Sequence, residues 1–300
     1  MDKDTIKRLI IEYQQFVANI TLIEREIHLS HQLNYVFVGL RRAGKSYLMY
    51  QQIQSLLNDG HQPEEILYFN FEDDRLVNLT VEDLDLIKVS YEELYPHKPI
   101  FFLDEIQIVE HWEKFARRLA DQQYRVYITG SNAKMLSAEI ATTLGGRYIV
   151  QNVYPFSFSE FLKASKIEIG PTWYYKNRTE IVRTFSDYFS YGGLPELMLI
   201  ETIEKRQWLS NLFNKIFFGD LITRYSIRND LAMKVLIRKL AESVKQPSSF
   251  NRLTNIVSTT GAKVSTDTII DYLNFLQATW LFFSLENYAS KLVEKISNRK

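Results

Sequence analysis

Short apolar runs and stretches of helical spacing alternate along the first half of the chain, and that alternation sets the expected fold. Asn34-Tyr35-Val36-Phe37-Val38 is apolar, aromatic and β-branched, which is how a strand buried on both faces reads. Runs of the same kind recur at 65–71, 99–105, 124–131 and 148–150. Between the first two, residues 47–57 place their apolar side chains at helical spacing, and Asn58-Asp59-Gly60 with Pro63 marks the loop that follows. Ahead of them, Ile6, Leu9, Ile10, Tyr13 and Phe16, then Ile20, Leu22, Ile23 and Ile27, predict a leading helix over 5–30 that packs on the core. Strand, helix, strand in repetition predicts an α/β fold, three layers around a parallel sheet.

The second half is helical in pattern. Apolar spacing runs from Leu209 through Leu240, and 231–244, 251–257 and 265–278 read as three helices. Thr266-Asp267 caps the third, and an aromatic run at 280–285 reads as a short strand. Three helices and a strand predict a winged-helix-like domain at 229–300, after a helical lid at 156–228. The core is then 31–155, with 1–30 as the leading helix.

The loop after the first strand carries the chemistry. Gly39-Leu40-Arg41-Arg42-Ala43-Gly44-Lys45-Ser46 fits G-x-x-x-x-G-K-[S/T], and Tyr47 follows it into the helix. Gly39 and Gly44 carry no Cβ, so the backbone between them can curl its N–H groups onto a phosphate. Lys45 reaches the β and γ phosphates, Ser46 can hold a magnesium ion, and the helix dipole points at the same anion.

A second half of the site follows from Phe101-Phe102-Leu103-Asp104-Glu105, an apolar strand that ends in two acids at the sheet edge where ligands bind. Asp104 is placed to hold the magnesium ion opposite Ser46, and Glu105 to take a proton from an attacking water. The fourth strand ends in Thr129, Ser131 and Asn132, candidates to orient that water or sense the γ-phosphate, with helix capping open to Ser131 and Asn132. Arg147, before the fifth strand, reads either as a surface arginine or as a candidate for transferring-phosphoryl charge, in its own site or in a neighbour's within a homo-oligomer; Arg224 is an alternative candidate for a phosphate sensor, from the lid. Glu72, Asp73 and Asp74 read as a solvated loop.

Composition narrows the rest. Of 300 residues 46% are hydrophobic and 24% charged, the range of a globular chain with room for two or three cores. Net charge is zero but uneven. Residues 201–300 hold 15 Lys and Arg against 9 Asp and Glu, a basic excess that admits DNA or another acidic partner. Ser265, Thr266, Asp267, Thr268, Asp271 and Tyr272 on the third helix are not basic, so a protein contact is as well supported there as major-groove readout. There is no cysteine, hence no disulfide or thiolate site, and the five histidines fall at no ligand spacing. The acidic start and the lack of a long apolar run place the chain in the cytoplasm, without a membrane span.

Seven motifs in order complete the picture: GLRRAGKS (39–46), YFNFEDDR (68–75), FFLDEIQ (101–107), ITGSNAKML (128–136), LGGRY (144–148), YPFSFSEF (154–161) and YGGLPE (191–196). Together they resemble the bacterial and archaeal AAA-type P-loop ATPases that carry a C-terminal domain of unknown function, over residues from about 20 to about 290. The resemblance implies the additional-strand type of P-loop sheet, ATP binding with hydrolysis, a helical region and a winged-helix module. Many members continue into a nuclease-like domain; this sequence stops at Lys300, so nuclease activity is not expected of it, whether it is a short member or a piece of a longer one. ATP is favoured over GTP, because Asn214-Lys215 is followed by Ile216-Phe217 and not by the guanine signature N-K-x-D. A nucleotide-loaded switch with little turnover is the rival expectation. A small-molecule kinase fits least, since an acid beside Asp104 suits water activation.

Overall fold

The computed structural model describes residues 2–77, 79–130, 142–167, 169–244, 248–261 and 264–284. The chain divides into two compact units, Met1–Arg206 and Gln207–Lys300.

The first unit is built on a five-stranded parallel sheet of β1 (Asn34–Val38), β2 (Ile66–Asn70), β3 (Ile100–Asp104), β4 (Val126–Gly130) and β5 (Tyr148–Asn152). Their order across the sheet is β2-β3-β4-β1-β5. β4 therefore lies between β1, which leads into the glycine loop, and β3, which ends in Asp104. This is the additional-strand P-loop fold expected from the sequence. Every strand but β5 is buried almost throughout, as near-continuous apolar runs require. The edge strand β5 instead exposes Ile149 and Val150.

Helix α2 (Lys45–Asn58) covers one face. Its Leu48, Met49, Ile53 and Leu56 pack on Tyr35, Phe37, Tyr68, Phe102 and Tyr127, with the rings of Phe102 and Tyr127 stacked 4.5 Å apart. On the opposite side Phe101 meets Phe115 of α4 (Trp112–Asp121) edge to face. Helix α1 (Lys3–Asn19) sets Tyr13 against both Tyr68 and Phe69, while α3 (Val81–Leu94) follows β2 and opens on a capping box from Thr80 and Asp83.

The leading helix is shorter than expected. It ends at Asn19, and Ile20 is extended at φ −73° and ψ 134°. Ile20, Leu22 and Ile27 still pack on the core, from an irregular segment. Apolar spacing recorded the packing of these three but not their conformation, and Ile23 and Phe16, expected on the same face, are exposed.

After β5 come α5 (Phe158–Ala164), α6 (Trp173–Lys176), α7 (Arg178–Tyr191) and a 3₁₀ turn at Pro195–Leu199. Helix α8 (Thr202–Lys215) contains the division between the units and runs into a π-helical stretch, Ile216–Thr223. The helical spacing read from Leu209 through Leu240 thus spans a break before α9 (Asp230–Glu242), the helix expected at 231–244. The second unit then has α10 (Phe250–Ser258) and α11 (Thr266–Ala278). Its core joins Phe217, Leu221 and Ile227 to Met233, Leu236, Leu253, Ile269 and Leu276. Those first three side chains draw 207–228, expected in a lid, into the C-terminal unit. Tyr272, expected on a reading face, is buried in this core. The expected strand at 280–285 does not form over its described part: Trp280 turns at φ 63° and 281–284 are irregular.

Candidate active site

The site is assembled where β1, β3 and β4 end together. Gly39 begins the loop, and a Cβ there would sit 2.1 Å from the Val153 carbonyl oxygen. The Val153 N–H donates to the Val38 carbonyl at 2.7 Å, so the exit of β5 presses on the loop and only glycine fits. Gly44 adopts φ 94° and caps α2 with no side-chain hydrogen bond, leaving the first-turn amides for an anion.

Lys45 is 5% exposed, and its Nζ donates to the carbonyls of Leu40 at 3.1 Å and Gly39 at 3.3 Å. Burial pushes its ammonium below the usual range, against the pull of the Glu105 and Asp104 carboxylates. Asp104 is 2% exposed and accepts three hydroxyls: Ser46 on Oδ1 at 3.1 Å, Thr129 also on Oδ1, and Tyr68 on Oδ2 at 2.7 Å. Burial raises its carboxyl above the usual range in spite of these donors. Ser46 and Asp104 present hard oxygen atoms side by side, a donor set that suits magnesium held jointly with phosphates. Among the described residues no group of three or more His, Cys, Asp or Glu side chains could hold a metal ion.

Glu105 stands just beyond β3 in the left-handed region, at φ 56°. Its N–H donates to Thr129 Oγ1 at 2.9 Å, and its carboxylate accepts from the Gln107 amide. Thr129 is fully buried, its hydroxyl donating to Asp104 and its oxygen accepting from the Glu105 N–H. It therefore ties the Asp104 carboxylate to the backbone of Glu105. Ser131 and Asn132 lie outside the described residues.

Arg147 is a correction. It precedes β5 and therefore emerges at the N-terminal edge of a parallel sheet, opposite the loop. There it pairs with Asp121, and its carbonyl accepts from Asn34 at 3.3 Å. It is no phosphate ligand in its own chain. Arg224 pairs with Asp220 within the second unit. Arg42, at φ 63°, pairs with Glu196 of the 191–196 motif, and Tyr47 is half exposed against Tyr50.

Arg25 and Glu160 escaped the sequence reading altogether. Arg25 is 5% exposed and donates to Glu160 at 2.8 Å, to the Tyr154 carbonyl at 2.8 Å and to the Ala43 carbonyl in the middle of the loop at 3.0 Å. Glu160 also accepts from the amides of Glu26 and Ser157. Burial would raise its carboxyl, but Arg25 and these amides outweigh it and hold it below the usual range. The S-x-x-E capping signature at Ser157 and Glu160 was legible, but not the arginine 135 residues away. Beside this pair a cavity of about 850 Å³ opens, lined by Arg25, Ile27, Asn152, Tyr154, Phe156 and Tyr188 among others.

Residues 31–162 match the AAA domain family, and 182–300 match a domain of unknown function. An uncharacterized protein of Methanocaldococcus jannaschii is 32% identical over 96% of this chain and 65% of its own length. One from Haemophilus influenzae is 32% identical over 89% of this chain and 67% of its own. This chain is an AAA-family protein with a C-terminal domain of unknown function. It spans about two thirds of the length of these relatives. The AAA match makes nucleotide binding the general class of its chemistry. Among solved structures it is similar to AMPPCP-bound DnaA from Aquifex aeolicus, with 15% identity over 90% of this chain and 86% of that one and a TM-score of 0.32. It is also similar to the Aeropyrum pernix Orc1 protein in complex with DNA, with 14% identity over 96% and 86% and a TM-score of 0.35. No helix among the described residues is long and apolar enough to cross a membrane.

Proposed function

We propose that this chain is a magnesium-dependent ATPase whose turnover moves the helical region beyond the core. The observation that carries the reading is the 3.1 Å hydrogen bond from Ser46 to Asp104, which joins the phosphate loop to the acid edge with Glu105 next in sequence. In this reading the loop amides and Lys45 hold the triphosphate. A magnesium ion shared by Ser46 and Asp104 would neutralise charge on the β and γ phosphates. Glu105 accepts a proton as water attacks the γ-phosphorus; the bond to the bridging oxygen breaks and its electron pair leaves with ADP. The cavity beside Arg25 offers the base an apolar wall of Ile27 and Phe156. Arg42 and Glu196 supply the contact by which the loop passes its state to 191–199.

Residues 229–300 provide the partner surface in this proposal. With Tyr272 buried and Asp267 and Asp271 exposed on α11, that helix suits a protein better than a DNA backbone. The test of the enzyme reading is steady-state phosphate release. Glu105→Gln should bind ATP normally while release falls about 10²- to 10⁴-fold. An unchanged rate would overturn the role given to Glu105, and a wild type that binds ATP without releasing phosphate would be an ATP-loaded switch in place of an enzyme.

A further inference from the structure

One partner of Asp104 has no place in the scheme above. Tyr68 comes from the middle of β2, is 1% exposed, and donates to Asp104 Oδ2 at 2.7 Å. Ser46 and Thr129 both use the other oxygen. Since the Tyr68 proton points to the carboxylate, its oxygen is left to accept from the Tyr50 hydroxyl 3.0 Å away. Tyr50 lies on α2 four residues after Ser46, on the same helical face. Helix α2 thus reaches Asp104 twice, directly through Ser46 and indirectly through Tyr50 and Tyr68.

A phenol on a fully buried strand needs a reason, because phenylalanine fills nearly the same volume with no hydroxyl to satisfy. Its neighbours on the sheet, Phe69 and Phe102, are of that kind. The reason lies in the geometry of the acid. Donors on both oxygens fix the rotation of the carboxylate plane, whereas donors on Oδ1 alone leave Oδ2 to swing.

We propose that Tyr68, backed by Tyr50, is the positioning residue that fixes Asp104 toward the divalent cation arriving with the nucleotide. The inference rests on the ATPase reading and assigns a role to two side chains that reading leaves idle. Tyr68 touches neither phosphate nor water, and acts only through Asp104.

The experiment is titration of the full chain with a fluorescent ATP analogue, with magnesium and with excess chelator, for wild type, Tyr68→Phe and Tyr50→Phe. In Tyr68→Phe the magnesium-dependent gain in affinity should fall about 10-fold, the loss expected for one hydrogen bond to a charged group, with affinity in chelator unchanged. Tyr50→Phe keeps the Tyr68 hydroxyl and should lose about 3-fold, the share of a neutral hydrogen bond. It decides the matter if Tyr68→Phe does not fold. An unaltered magnesium gain in both variants overturns the inference, as does an equal loss with and without the metal, which is the signature of a merely structural role. A wild type that binds no nucleotide overturns the ATPase reading itself, and this inference with it.

Discussion

Arg25 shows at the residue scale how a side chain remote in sequence from the glycine loop holds it. Its guanidinium spans Glu160, Tyr154 and the Ala43 carbonyl, so removing it leaves a buried carboxylate and a loosened loop together. Arg25→Ala should lower stability by about 3–5 kcal/mol, the cost of breaking a buried pair, and calorimetry checks it. The pH dependence follows from Glu160. Its folded value lies below the ordinary 4.5, so the stabilisation it gives is complete above pH 4.5 and is lost as pH falls through the lowered value. The gap in melting temperature between wild type and Glu160→Gln should therefore shrink on acidification below 4.5, and a gap that widens would contradict the pairing. Lys45, Ser46, Asp104 and Glu105 were legible because their chemistry demands a fixed spacing within one strand-loop-helix or one strand end. The pairing of Arg25 with Glu160 and that of Tyr68 with Asp104 were not, because the partners lie tens of residues apart. A buried arginine in Glu24-Arg25-Glu26 reads like the solvated face of the leading helix expected over 5–30.

At the scale of elements, the five strands match their apolar runs to within two residues; in β1 to β4 burial on both faces leaves an unbroken signal, while the edge strand β5 keeps an apolar run with Ile149 and Val150 exposed. The same signal said nothing of direction, which is what displaced Arg147: in a parallel sheet a residue ahead of a strand emerges away from the ligand edge. Helical patterns were less faithful. The segment after Asn19 packs its apolar side chains without being helical, and the stretch Ile216–Thr223 widens to a π-helix that spacing alone does not distinguish. Gly39 links two elements, being pressed by the strand-end carbonyl of Val153. Gly39→Ala must move one of them. It should lower stability by about 1–3 kcal/mol, as overpacking does, and abolish nucleotide binding in the same preparation. Normal binding with normal stability would remove this account of the loop.

On the scale of the whole chain, the division at Arg206 and Gln207 separates a nucleotide core from a helical unit with its own apolar centre. The sequence announced both parts but put the boundary at 228, because helical spacing continues across it and nothing in spacing tells which core a side chain joins. Two cores predict two unfolding transitions by scanning calorimetry. Magnesium and ATP at about 100 times the dissociation constant should stabilise the transition of Met1–Arg206 by about 2.7 kcal/mol and leave the other in place. All of this depends on one site being a triphosphate cradle. The most direct measurement is equilibrium titration of the wild-type chain and Lys45→Ala with ATP in the presence of magnesium. The account predicts saturable binding by the wild type and a loss of about 10- to 100-fold in the variant, the worth of a hydrogen bond to a charged group. Equal affinity in the two proteins would contradict it.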